Sequence, residues 1–196
     1  MQVAKQIKAT VVVAHDAGGA NILSSYVCRF SGVYLYILVW PALKIFQDRL
    51  GSFDLLFLDE ALASCEKIIT GTSWQSDLEW QVIRAARTQG KPVVTFLDHW
   101  GHYRERFVRN GEECLPNAIW TGDEEAFAMA KALFPDVPVE LVPNPYFEDV
   151  RQAVADFAQS GPMSGMTPAG LRVLFVCEPL SEHGLHEFGD PMHWGY

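Results

Sequence analysis

Asp98-His99-Trp100-Gly101-His102 packs a carboxylate, two imidazoles and an indole into five residues, directly after the apolar run 92–97. Asp98 or His99 could take a proton from a hydroxyl, and Trp100 could offer its ring face to a sugar. In the plainer alternative His99 is simply hydrogen-bonded, and Arg104 and Arg106 downstream are solvated surface. His99 and His102 could share a helical face, but no third ligand is fixed by spacing, so no metal centre is expected.

A second group follows the run 10–14: His15-Asp16-Ala17-Gly18-Gly19-Ala20-Asn21. His15 and Asp16 are acid or base candidates. Gly18, Gly19 and Asn21 lie where backbone N–H groups at a helix start could meet a phosphate or sugar oxygen. The pattern is neither GxGxxG nor a P-loop. Its alternative is a strand–helix turn whose glycine supplies a positive φ. A third group is Gly71-Thr72-Ser73-Trp74. The Thr72 and Ser73 hydroxyls and the Trp74 indole could contact a ligand. Otherwise Thr72 or Ser73 caps the next helix and Trp74 packs in the core. Glu178 closes a later apolar run and is a ligand-binding candidate that would face the cleft of a two-domain protein, while His183, His186 and His193 fall in a Gly/Pro-containing tail where no metal site is expected. No GxSxG elbow, HExxH or EF-hand loop occurs, so serine nucleophile chemistry and NTP hydrolysis find no motif.

These groups need a scaffold that delivers them to one rim, and the hydrophobic pattern supplies it. Runs at 10–14, 33–39, 67–70, 92–97, 117–121 and 139–142 are short, apolar and rich in β-branched residues, as strands buried on both faces are. Helical periodicity separates several of them: from Ile22 to Phe30, from Asp77 to Gln89, and after a capping Asp123 through Leu133. A short helix is expected after Pro41. Strand and helix in alternation imply βαβ units, hence a Rossmann-like, doubly wound parallel sheet of the α/β class. In such a sheet, ligands sit beyond the carboxyl ends of the strands.

The organisation expected is one α/β domain over residues 1–150, then a helix and Gly/Pro/Ser-rich linker over 151–170. Residues 171–196 would be the first strand and tail of an incomplete second domain, as though the chain were cut. The 196 residues carry 15 basic and 24 acidic side chains, a net −9, with 49% hydrophobic residues. Such a surface disfavours nucleic acid and anionic lipid. The N-terminus lacks a signal-peptide core and 33–40 is too short to span a bilayer, so a cytoplasmic protein is expected. Cys28, Cys65, Cys114 and Cys177 are far apart and form no disulfide or zinc pattern; Cys28 and Cys177 read as core residues.

The order of elements resembles the N-terminal domain of GT-B-type glycosyltransferases and nucleotide-sugar 2-epimerases. The residues that carry the likeness are His15 to Asn21, Ile68-Ile69-Thr70-Gly71-Thr72-Ser73, Lys91 to Val94 leading to Asp98-His99-Trp100, and Trp120 to Asp123. The Val142-Pro143-Asn144-Pro145-Tyr146 crossing completes it, with Pro143 where the family usually has Gly. The resemblance implies nucleotide-sugar-dependent transfer to a glycan or small-molecule acceptor, with no cofactor and no bound metal. It implies that this chain is the acceptor side, the donor being held mostly by a second domain. A base from His15, Asp16, Asp98 or His99 would deprotonate the acceptor. A stand-alone, non-catalytic ligand-binding domain, or an epimerase or hydrolase of the same fold, is the competing expectation. Apolar surface left uncovered would favour a homo-oligomer.

Overall fold

The three consecutive valines Val11, Val12 and Val13 are each at most 1% exposed, and the sheet is organised around them. In a computed structural model that describes residues 9–73, 76–160, 185 and 189–192, they form the centre of β1 (Ala9–Ala14). The elements that follow are α1 (Ala17–Arg29), β2 (Val33–Leu38), α2 (Ala42–Leu50), α3 (Leu58–Ser64), β3 (Cys65–Thr70), α4 (Leu78–Thr88) and β4 (Val93–Leu97). Next come the two-residue strands β5 (Val108–Arg109) and β6 (Glu112–Glu113), then β7 (Ala118–Thr121), α5 (Glu124–Leu133), β8 (Val139–Leu141) and α6 (Pro145–Ser160).

Six strands make one parallel sheet in the order β2-β1-β3-β4-β7-β8. Alternation along β1 feeds two cores. Val11 and Val13 join Ile68, Val82 and Ile83 on one face, while Val12 and Ala14 join Phe46, Ile69 and Phe96 on the other. Burying a valine on either side stabilises the fold by roughly 1.5–3 kcal/mol, and this explains why the run carries no polar alternation. Helices cover both faces, so the fold is Rossmann-like α/β. Leu55 adds a single parallel bridge outside β2, opposite Tyr36, and the Leu56 N–H donates to the Tyr36 carbonyl at 2.9 Å. Taken as a rudimentary strand, that bridge makes the chain order 3-2-1-4-5-6-7 across the sheet. The direction of winding reverses between β1 and β3, and a crevice opens at such a reversal.

The chain divides into two compact units, Met1–Asp156 and Phe157–Tyr196. All eight strands among the described residues lie in the first. In the second, the described residues are the end of α6, Leu185 and 189–192, where Asp190 Oδ1 accepts from the Met192 N–H at 2.8 Å. The expected linker at 161–170 and the strand at 171–177 lie outside the described residues. No helix among those described is long and apolar enough to cross a membrane.

Three expectations change. β3 begins at Cys65 rather than Lys67, because α3, which the sequence pattern did not announce, runs straight into it. Cys28 is exposed, on the outer side of α1, and is not a core residue. Arg106 is 6% exposed rather than solvated.

Candidate functional site

Beyond the carboxyl ends of β1, β3 and β4 the chain turns at His15-Asp16, Gly71-Thr72-Ser73 and Asp98-His99-Trp100, so the three sequence groups meet on one rim. Two glycine contacts hold them together. A β-carbon built at Gly19 would lie 3.1 Å from the Gly71 α-carbon, so α1 can approach the end of β3 only without side chains there. A β-carbon at Gly18 would lie 2.1 Å from Asp98 Oδ2. Neither Gly18, Gly19 nor Gly71 has a positive φ. Their requirement is steric closeness, not a left-handed turn.

Asp98 is the pillar of the rim. Its side chain is 6% exposed and its Oδ1 accepts from the Thr72 hydroxyl at 3.0 Å and from Arg106 Nη1 at 2.9 Å. Arg106 also donates from Nη1 to Thr72 Oγ1 at 2.7 Å and from Nε to the Gly101 carbonyl at 3.2 Å. Burial pushes the Asp98 carboxyl above its ordinary range, and the Asp16 charge adds to that; Arg106 and Thr72 pull the other way without cancelling it. The Arg106 side chain comes from a 3₁₀ turn, Glu105–Phe107, that leads into the β5–β6 hairpin. Its neighbour Arg109 pins the loop after β3 by donating to the carbonyls of Ser73 at 2.8 Å and Ser76 at 2.6 Å.

The remaining rim residues divide by exposure. Asp16 caps α1, its Oδ1 accepting from the Gly18 N–H at 3.1 Å. Asn21 donates to the Ala17 carbonyl of its own helix at 3.0 Å. Thr72 and Ser73 are buried, and Ser73 Oγ accepts from the Ser76 N–H at 3.1 Å, a capping role for the turn before α4. His99 is exposed and its Nδ1 accepts from the Gly101 N–H at 3.0 Å. Trp100 is 51% exposed, yet its Nε1 donates to the Asp123 carboxylate at 3.1 Å, so the indole is oriented as well as accessible. Trp74 and Glu178 lie outside the described residues. The stretch 98–102 is not helical, and His102 takes a φ of 55°. Among the described residues no group of three or more His, Cys, Asp or Glu side chains is placed to hold a metal ion.

Sequence reading missed Glu79. It is 3% exposed at the start of α4, and its Oε1 accepts from the His15 backbone N–H at 2.7 Å. Burial raises its carboxyl to about 7; the backbone bonds oppose this and the charges of Asp16 and Asp98 reinforce it. Its Oε2, His15 Nδ1 and the Tyr103 hydroxyl are buried without a hydrogen-bond partner. A glutamate in the first turn of a helix ordinarily reads as a solvated dipole partner, so nothing in the sequence marked it.

The rim is therefore rich in acid groups around the start of α1: Asp16 occupies a capping N–H, Asp98 is paired with Arg106, and burial holds Glu79 towards its neutral acid. A phosphate there would meet carboxylates, whereas a neutral hydroxyl would find acceptors and a half-buried imidazole. Away from the rim, an apolar cavity of about 360 Å³ opens on the sheet face, lined by Leu23, Tyr26, Phe30, Phe96, Trp120 and Val142 among others. Asn144, expected at a crossing motif, is buried and caps α6, its Oδ1 accepting from the Tyr146 N–H at 3.0 Å. No protein-family model matches the chain, and no curated protein matches it either.

Proposed function

We propose that this chain is the acceptor-side, Rossmann-like part of a cytoplasmic GT-B-type glycosyltransferase-like protein, and that the rim beyond β1, β3 and β4 receives a hydroxylated acceptor. The observation that carries the reading is the convergence of His15, Asp16, Gly18, Thr72 and Asp98 at the point where the sheet reverses its winding. The strand order with the Leu55 bridge included fits that fold. The acidic rim fits a neutral sugar better than a diphosphate, so the donor's nucleotide would be held by other groups.

In this reading the residues take unequal roles. Asp98, bound through Oδ1 to Thr72 and Arg106 and pressed on Gly18, shapes the pocket. His15, half-buried in the turn after β1, is the base. The acceptor hydroxyl passes its proton to the imidazole and its oxygen bonds to the donor's anomeric carbon. The bond from that carbon to the diphosphate breaks, and its electron pair leaves on the phosphate oxygen. Trp100, held by Asp123, offers a sugar its ring face.

Calorimetric titration with free sugars, nucleotides and nucleotide-sugars tests this. The expected result is sugar binding weakened at least tenfold in Trp100→Ala, with no tight binding of nucleotide alone. Tight nucleotide binding that ignores Trp100 and His15 would replace this reading with a nucleotide-binding domain. Sugar binding unchanged in both Trp100→Ala and His15→Ala would leave a binding module, or an epimerase or hydrolase of the same fold.

A further inference from the structure

The turn after β1 is fastened from below. The His15 N–H donates to Glu79 on α4, a carboxyl that is 3% exposed and 64 residues further along the chain. Its second oxygen has no partner, and neither has Nδ1 of the residue whose backbone it holds. A structural cap on a helix or turn needs no carboxylic acid at all; an amide or hydroxyl satisfies an N–H without the cost of burying an ionisable group.

We propose that Glu79 is a positioning residue for the rim: its buried carboxyl fixes the His15 backbone, and with it the approach of Gly18 to Asp98, in the geometry that receives ligand. This rests on the reading of the rim as a ligand site, with His15 at its edge. The form that does the positioning is the neutral acid. As a carboxylate, Glu79 would face Asp16 on the β1–α1 turn and Asp98 after β4 across a buried region, with Arg106 already committed to Asp98. The contact to His15 itself is through its backbone N–H. Ionisation near neutral pH makes Oε1 a stronger acceptor for the His15 N–H, but it puts a charge in a buried region beside Asp16 and Asp98; opening the turn to water relieves that larger cost, so the rim is in order below that pH and looser above it.

The measurement is the backbone amide spectrum of the full chain, with ¹⁵N labelling, from pH 5.5 to 8.5. The His15 and Gly18 amides should shift together with a midpoint near 7, and hydrogen exchange at His15 should quicken at least tenfold beyond the intrinsic pH effect above the midpoint. Glu79→Gln keeps the acceptor and removes the charge, so its His15 amide should stay protected and the midpoint assigned to Glu79 should vanish. Glu79→Leu should expose His15 to exchange at every pH. The inference is overturned if wild-type His15 and Gly18 amides are flat across that range. It is equally overturned if the step survives in Glu79→Gln, which would assign it to the His15 imidazole. These readouts need no ligand, so they can fail while sugar binding stands, or succeed while it does not.

Discussion

Gly18 and Asp98 occupy each other's space: the hydrogen on the glycine α-carbon points at a carboxylate oxygen that a methyl group there would meet at 2.1 Å. The carboxylate cannot turn aside cheaply, because its other oxygen is bound to Thr72 and Arg106. Gly18→Ala should therefore drive Asp98 off both partners and destabilise the fold by about 1–3 kcal/mol, the usual range for overpacking. Urea denaturation measures that cost, and an unchanged midpoint would mean that the rim gives way more easily than these contacts allow.

Arg106 and Asp98 form a buried ion pair with 5% and 6% of their side chains exposed. Removing one partner strands the other's charge, so Arg106→Leu should cost about 3–5 kcal/mol. Pairing it with Asp98→Leu should recover much of that loss, because no uncompensated charge remains. A double-mutant cycle by chemical denaturation decides it; additive losses would show that the pair is not coupled.

Stability should fall as pH rises through the Glu79 window. The unfolded chain releases this proton near 4.5 and the folded chain near 7, so between those values the folded state binds one more proton. The Glu79 contribution is fully present below 4.5 and lost by about 7, a change of up to about 3 kcal/mol. Glu79→Gln should accordingly raise the melting temperature at pH 8 and leave it nearly unchanged at pH 4. Equal shifts at both pH values would contradict the assignment.

At the other end of α1 the sign reverses. Burial raises the Asp149 carboxyl, but hydrogen bonds from Ser25, Arg29 and Arg49 outweigh it and hold the group at about 2. Asp149 thereby clamps the first turns of α6 to α1 and α2. This contribution is present above the ordinary carboxylate range and lost as pH falls from about 4 towards 2. Asp149→Asn should flatten that part of the acid-denaturation curve, measured by circular dichroism; the pair is part-exposed, so salt should weaken the effect.

The strands were readable because a parallel sheet buries both faces, and runs such as Val11-Val12-Val13 and Ile68-Ile69-Thr70 leave few other places to be. The helix capped by Asp123 was readable from its cap and apolar stripe, whereas α1 was readable from Ile22 on but not its start at Ala17 behind the Asp16 cap. α3 was not, since Leu58 to Ser64 is short and joins β3 with no glycine or proline between them. At the site, sequence marked the strand ends but not their internal wiring. Arg106 and Glu79 are charged residues that look like surface until tertiary structure buries them against Asp98 and His15. Gly18 and Gly19 stood out in sequence as ligand-facing N–H positions or as a positive-φ turn; neither has a positive φ, and the demand visible in the structure is closeness.

A bound sugar should sit on the rim. A crystal structure of the chain with a sugar selected from the calorimetric panel should show density beyond the carboxyl ends of β1 and β4. A hydroxyl should lie within hydrogen-bond distance of the His15 imidazole, and the ring should rest on Trp100. Density confined to the apolar cavity beside Tyr26 and Trp120, or binding untouched by His15→Ala and Trp100→Ala together, would contradict it.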